Sequence, residues 1–262
     1  MHVSLRIEQR AVEFDLTYDA NFVADVNTRV MFGRDGGCEP EVTHLLFRVL
    51  GEGDVVVDGG ANIGFFSLLM ARLVGTTGRV MAFEPGSNNI SKLRENVALN
   101  RMENVEVVEA ALWHRQVVLD FYLCHDSGEN AAWKSDAALG TAAVSGVKLS
   151  DYLRESRIKL IKLDVEGSEQ RALEGAYAHL AKYTPFIVCE LNAPAMMHLG
   201  DSQASLRKLM MGFGYDLFVL HADGRLPSLV PPGSVVEPTA INTNVLFSRA
   251  NKLAKAWPVV QA

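Results

Sequence analysis

Cysteine is scarce in this chain of 262 residues: Cys38, Cys124 and Cys189 lie far apart, and no CxxC pair occurs. That spacing argues against a disulfide framework and a structural zinc site, and it fits a reducing cytoplasm. Positive charge is also short, with 25 Lys and Arg against 31 Asp and Glu, a formal net charge of -6. No global field would draw such a chain to nucleic acid or to an anionic membrane. Long apolar runs are missing as well, each being broken by charge or glycine well before the ~18 residues of a spanning helix. Residues Met1 to Phe14 alternate apolar with polar side chains, unlike the apolar centre of a secretory leader. Internal repeats and low-complexity tracts are absent too.

What is present is the composition of an ordinary globular protein, 48% hydrophobic and 21% charged. The expectation is a soluble, cytoplasmic protein with one main domain, no membrane or nucleic-acid partner, and an oligomeric state left open, a homodimer included. Strand-like stretches at Val3 to Ile7 and Val12 to Leu16, a glycine turn at 33–37 and a helix over Glu41 to Leu50 make residues 1–50 a cap. Residues 51–250 then carry the main domain and 251–262 a C-terminal tail.

From Asp54 onward, β-branched runs alternate with helical periods, the signature of βαβ units around a mostly parallel sheet. Strands are expected at Val55 to Val57, Arg79 to Phe83, Val105 to Val108, Ile158 to Leu163, Phe186 to Cys189, Asp216 to Leu220 and Asn244 to Phe247. Helices are expected at Ile63 to Val74, Asn88 to Asn100, Leu149 to Glu155, Glu169 to Ala181 and Ser205 to Phe213. Ala111 to Leu123 reads as an inserted hairpin. Cys124 to Gly146, small and polar without periodicity, reads as a lid loop. The proline-rich stretch Pro227 to Pro238 reads as a surface connection.

The strongest chemical signal is an apolar strand, Val55-Val-Val57, that runs into Asp58, Gly59, Gly60, Ala61, Asn62, Ile63 and Gly64 at the start of a helix. Glycines let the backbone approach a ligand closely, and free N–H groups at a helix start favour an anionic group such as a carboxylate. The dinucleotide pattern GxGxxG fits neither register, because Ala61 or Asn62 occupies its third position. The pattern that does fit, acidic-x-Gly-x-x-x-Gly, is typical of proteins that bind S-adenosylmethionine, with Asp58 placed to hold the methionyl ammonium. Glu84 ends the second strand, where a carboxylate can accept from both ribose hydroxyls of an adenosine. Pro85 fixes the turn after it, Asn88 either caps the next helix or approaches the adenosine, and Ala110 and Ala111 either leave room beside the adenine or fill core.

A second cluster, Lys162-Leu-Asp164-Val-Glu166-Gly167-Ser168, is another strand ending in acids at a glycine turn, so it faces the same crevice. Methyl transfer from a sulfonium needs an in-line nucleophile, and Glu166 or Asp164 is placed to take the proton of an acceptor hydroxyl. The other reading makes both of them acids that favour a helix dipole. His125 is an alternative base. Glu129 and Asn130, in the lid, and Glu190 and Asn192, at another strand end, are candidates for the substrate side; Trp133 is a wall of that site or a lid residue packed on core. Asp164, Glu166 and Glu190 offer oxygen ligands, but no dense ligand spacing argues for a metal, and none is expected.

Asp58-Gly-Gly-Ala-Asn-Ile-Gly64, Ala82-Phe-Glu84-Pro, Asn96-Val-Ala-Leu-Asn100, Ala110-Ala-Leu112 and Ile161-Lys-Leu-Asp164-Val-Glu-Gly167 together resemble the FkbM family of methyltransferases, over roughly residues 35–248. The resemblance implies an α/β, Rossmann-like class I methyltransferase fold, a mostly parallel seven-stranded sheet with helices on both faces. It implies S-adenosyl-L-methionine as donor and O-methylation of a hydroxyl on a sugar, polyketide or other natural-product small molecule. Asp58 to Gly64 and Glu84 then become cofactor residues, and Asp164 and Glu166 border the reaction centre. Gly59 departs from the aliphatic residue common after the first acid, and Gly128-Glu-Asn-Ala-Ala departs from the family's Gly-Asn-Ser type of segment. The alternatives are a nucleic-acid or peptide methyltransferase, a non-catalytic S-adenosylmethionine-binding protein, and an NAD-dependent oxidoreductase, the last disfavoured by the missing fingerprint. Against a nucleic-acid enzyme stands the absence of an Asn-Pro-Pro-Tyr type motif where Asp-Val-Glu-Gly stands.

Overall fold

A computed structural model describes residues 1–18, 38–124, 130–134, 138–153, 157–236 and 243–257. The glycine turn at 33–37, His125 and Glu129 lie outside the described residues. The central sheet is built from β3 (Val55–Gly59), β4 (Arg79–Phe83), β5 (Val105–Val108), β9 (Ile158–Leu163), β10 (Phe186–Leu191), β11 (Asp216–Val219), β12 (Ser228–Leu229) and β13 (Thr243–Ser248). Their spatial order is β12-β11-β13-β10-β9-β3-β4-β5. Pairing is parallel from β5 through β10, whereas β13 lies antiparallel to both of its neighbours and β12 antiparallel to β11. The sheet is therefore eight-stranded and mixed rather than seven-stranded. The added strand is a two-residue edge inside the proline-rich connection, where prolines on either side keep it short.

Strand residues alternate between two apolar layers. Val56, Leu160, Val188 and Leu246 face one layer, and Val57, Ile161, Ile187 and Val245 face the other. Helix α1 (Pro40–Val49) and helix α2 (Phe65–Val74) cover the first face; helix α3 (Ser87–Leu99) lies beyond. In α2 every residue but Arg72 is buried, which demands cover on both sides of the helix. The sheet supplies one side. A hairpin of β1 (His2–Ile7) and β2 (Arg10–Asp15) supplies the other, with Phe14 edge-on to Phe65 at 5.6 Å. Arg10 ties the three together by donating to the carbonyls of Phe47 and Leu50 at the end of α1 and of Leu73 in α2, acceptors that a helix end leaves unpaired.

Three expectations change. A separate three-stranded sheet joins β6 (Ala111–Leu112), β7 (Val117–Cys124) and β8 (Ala138–Val147), so the last nine residues of the segment expected to be a lid loop, 138–146, lie in the second arm of a hairpin. Its small residues carry little strand propensity, and the ladder to β7 decides the conformation. The helix expected over Glu169 to Ala181 is two, α5 (Glu169–Glu174) and α6 (Tyr177–Tyr183). They part at Gly175, where a Cβ would sit 2.2 Å from the Trp113 carbonyl oxygen. The expected C-terminal tail begins as helix α9 (Ala250–Ala256), with Leu253 buried in the first layer. Helix α4 (Ser150–Leu153), α7 (Ala193–His198) and α8 (Gln203–Gly212) complete the second face. Among the described residues, no helix is long and apolar enough to cross a membrane.

Because Phe14 is 2% exposed and spans the contact between hairpin and α2, Phe14→Ala is expected to cost ~3–5 kcal/mol. Urea unfolding should remain one transition at a lower midpoint. Separate loss of the hairpin, with the main transition unmoved, would show that it is not part of this core.

Candidate active site

Parallel pairing of β4, β3, β9 and β10 brings their carboxyl ends to one edge, and each ends in an acid. In that order stand Glu84, Asp58, Asp164 with Glu166, and Glu190. The turn after β3 is stitched into the sheet. The N–H groups of Gly60 and Ala61 donate to the Phe83 carbonyl at 3.0 Å each, that of Asn62 to Glu84 Oε2 at 2.8 Å, and that of Gly64 to the Ala61 carbonyl at 2.9 Å. These donors are spent inside the protein rather than left for an anion. The glycines serve packing as well: Gly60, at φ +78°, would set a Cβ 1.7 Å from the Asp164 carbonyl oxygen, and Gly59 and Gly64 face leucine side chains. Close approach here is of one strand-end turn to the next.

Asp58 is buried, with Oδ2 accepting from the Ser67 hydroxyl at 2.6 Å and Oδ1 without a partner. Desolvation pushes its carboxyl up, opposed by the charge of Lys162. Glu84 is buried too. Its Oε1 accepts from the Gly86 N–H at 2.8 Å and from Asn89 Nδ2 at 3.4 Å, which with Asn62 leaves the carboxylate braced by three protein donors. Burial raises it to about 7 in spite of them. Pro85 follows it half-buried. Asn88 lies within the first turn of α3, whose N-cap is Gly86 and carries no side-chain cap, so Asn88 does not cap that helix. Ala110 is packed in the core with Phe83 and Leu112, and Ala111 is a strand residue paired with Gly146.

At the second turn Asp164 Oδ2 lies 3.2 Å from Lys162 Nζ. Lys162 is 2% exposed and also sits 4.5 Å from the centroid of the Phe66 ring. Burial alone would depress this ammonium, but Asp164, Glu39 and Asp58 outweigh it and hold Lys162 above its ordinary value. Glu166 adopts φ +48°, and Asn192 Nδ2 donates to its Oε2 at 3.1 Å. Asn192 Oδ1 caps α7 through the Ala195 N–H at 3.1 Å. Glu190 is pushed far above the carboxylate range by burial first, then by Asp164, Glu166 and Glu39, and shares a hydrogen bond with Asp164. Oxygens of Asp164, Glu166 and Glu190 all lie within 4.8 Å of one another. Hard cations accept such a set, but a shared proton accounts for the same closeness.

The remaining candidates divide. Trp133 belongs to this site: its Nε1 donates to the Glu166 carbonyl at 2.9 Å, and its ring stacks on His198 at 4.1 Å and 4°. Asn130 lies instead at the Glu84 end, its Nδ2 reaching the space beside Gly86. Several participants carry no signal in the sequence reading above. Glu39, at φ +43°, and Glu41 reach the crevice from the start of α1 and are held there by Asn244 Nδ2 at 2.9 and 3.0 Å. Glu169 accepts from the N–H groups of Val165 and Gly167 and so braces the Asp-Val-Glu-Gly turn from below. Lys162 was visible in principle, since a lysine is foreign to a strand buried on both faces.

With this geometry established, the comparisons with known proteins decide the family. The sequence model of the methyltransferase FkbM domain matches residues 58–217. The chain belongs to the FkbM methyltransferase family. That family uses S-adenosylmethionine, and the residues here fit such a molecule: Asp58 keeps a buried oxygen without a partner and Asn130 a buried amide nitrogen without one. Among relatives, the FkbM-family chain is 31% identical over 156 residues to 31-O-demethyl-FK506 methyltransferase FkbM of Streptomyces tacrolimicus, covering 47% of this chain and 59% of that one. It is 26% identical over 188 residues to hexuronic acid methyltransferase AglP of Haloferax volcanii, covering 67% and 72%. A solved methyltransferase FkbM from Methylobacillus flagellatus aligns over 77% of this chain and 47% of that one, at 17% identity and a TM-score of 0.49. Matches to other curated relatives span 25%, 57% and 59% of their lengths.

Glu84 and Glu169 are both raised by burial from 4.5 to about 7. A raised carboxyl stabilises the fold below its unfolded value, and that contribution is lost as pH climbs through the folded value. The thermal midpoint is therefore expected to fall between pH 5 and 8, and Glu169→Gln, which still accepts from Val165 and Gly167, should flatten the fall. A flat wild-type profile, or an unchanged slope in the variant, contradicts the assignment.

Proposed function

We propose that the chain transfers a methyl group from S-adenosylmethionine to a hydroxyl oxygen of a sugar, polyketide or other natural-product small molecule. The observation that carries the reading is the order of acids along one sheet edge. Glu84 ends β4, where a pentose is recognised in nucleoside-binding α/β folds, and Asp58 ends β3 beside it. Asp164, Glu166 and Glu190 continue the line on β9 and β10. A molecule with a pentose at one end and an ammonium near its reactive centre matches that order.

Bound there, S-adenosylmethionine supplies a methyl carbon made electrophilic by the sulfonium. Asp58, through its unpartnered Oδ1, takes the methionyl ammonium, and the carboxylate of Glu84 accepts from the pentose. Glu166 is the base: it stands on the turn that Trp133 covers, whereas Asp164 is engaged by Lys162 and Glu190. Its carboxylate removes the acceptor hydroxyl proton as the oxygen attacks. Trp133, stacked on His198 above the Glu166 turn, walls the acceptor side. The name of the FK506 relative, which acts on a 31-O-demethyl compound, supports an oxygen acceptor over a planar base amine, and that of the hexuronic acid relative supports a sugar-type substrate.

Asp58→Ala and Glu84→Ala are each expected to weaken S-adenosylhomocysteine binding at least about tenfold, the scale of one lost charge-assisted hydrogen bond at ~1.5–3 kcal/mol. Glu166→Gln should keep that affinity and lose ~10²–10⁴ in turnover on hydroxylated acceptors screened with methyl-labelled donor. Calorimetry showing full affinity in both alanine variants would reject the pocket. Full turnover in Glu166→Gln would reject the base.

A further inference from the structure

Asn130 is 7% exposed and immediately precedes Ala131, which forms an isolated bridge with Tyr122 of β7. Its orientation is fixed by the backbone: Oδ1 accepts from the Cys124 N–H at 2.8 Å, so the amide cannot be turned over and Nδ2 must face away. The bridge is locked by reciprocal bonds between Ala131 and Tyr122 at 2.8 and 3.1 Å. Nδ2 then points toward Gly86 and finds no partner. Buried donors are nearly always satisfied, so this one calls for an explanation.

The space it faces has a definite chemistry. A Cβ on Gly86 would lie 2.9 Å from Glu84 Oε1, 3.1 Å from Asn130 Nδ2 and 3.2 Å from Asn88 Oδ1. One donor and two acceptors surround a notch that exists only because residue 86 has no side chain. A hydroxyl group, which donates once and accepts, is complementary to that set.

We propose that Asn130 is a cofactor residue, donating from Nδ2 to one pentose hydroxyl of S-adenosylmethionine while that hydroxyl donates to Glu84. The inference rests on the functional reading above and moves Asn130 from the substrate side, where the sequence had put it, to the nucleoside end. Three residues on, Trp133 binds the Glu166 carbonyl. The same short segment therefore touches both ends of the crevice, and nucleoside binding braces the acceptor wall.

Calorimetric titration of the full chain with S-adenosylhomocysteine and its 2′-deoxy and 3′-deoxy analogues tests this. Asn130→Asp keeps an oxygen for the Cys124 N–H but removes the donor, and it should bind the parent compound at least tenfold more weakly. In the wild type, one of the two deoxy analogues should lose at least tenfold, and that penalty should shrink in Asn130→Ala to the share that the bond to Glu84 supplies. Parent-like affinity in both Asn130 variants overturns the proposal, as does a wild type indifferent to both missing hydroxyls, the result expected if only water fills the notch. A wild type that binds none of the three compounds removes the functional reading and this inference with it.

Discussion

Among the described residues, Lys162 is the one cation whose side chain is buried, and the crevice is arranged around it. A lone ammonium at that depth would cost several kcal/mol of lost hydration, and a lone group of carboxylates there would repel one another. Together they are tolerable. Asp164 lies 3.2 Å away, Asp58 and Glu39 add their fields, and the Phe66 ring face takes the remaining side. Charge in the crevice is thus balanced by one strand residue and by protons held on Glu190 and, near neutrality, on Glu84.

Backbone geometry follows the same centre. Asn62, Glu166 and Glu39 all adopt positive φ without being glycine, and all three lie at the carboxyl edge of the sheet or face it. Such conformations cost of order 1–3 kcal/mol each and persist where surrounding contacts over-determine them. Here those contacts are visible: Glu84 holds the Asn62 N–H, Glu169 and Trp133 hold the Glu166 turn, and Asn244 holds Glu39. Each strained residue is fixed by a polar group from a different part of the chain.

That dispersion explains what the sequence made legible. Asp58, Glu84, Asp164 and Glu190 could be aligned in advance because parallel strands place their carboxyl ends together, a rule local enough to read from apolar runs. The strand count could not be read as easily, since β12 is two residues long and β8, rich in alanine and glycine, becomes a strand only against β7. Glu39 and Asn244 are 205 residues apart, and nothing in either neighbourhood announces the contact. The glycine turn lies at the strand end where the pattern put it, and its glycines serve contact between turns, while the N–H groups of Gly60 and Gly64 are spent on carbonyls of the protein. Asn130 falls in the segment read as a lid and was grouped with the acceptor, whereas the single bridge from its neighbour Ala131 to Tyr122 sets it beside Gly86 at Glu84's end of the crevice.

The account is tested most directly by a crystal structure of the full chain grown with S-adenosylhomocysteine. It requires the pentose between Glu84 and Asn130, the amino-acid tail at Asp58 and the sulfur directed at the Glu166 turn beneath Trp133. Density for the nucleoside at any other part of the sheet edge, or with its ends reversed so that the pentose meets Asp164 and Glu190, would contradict it.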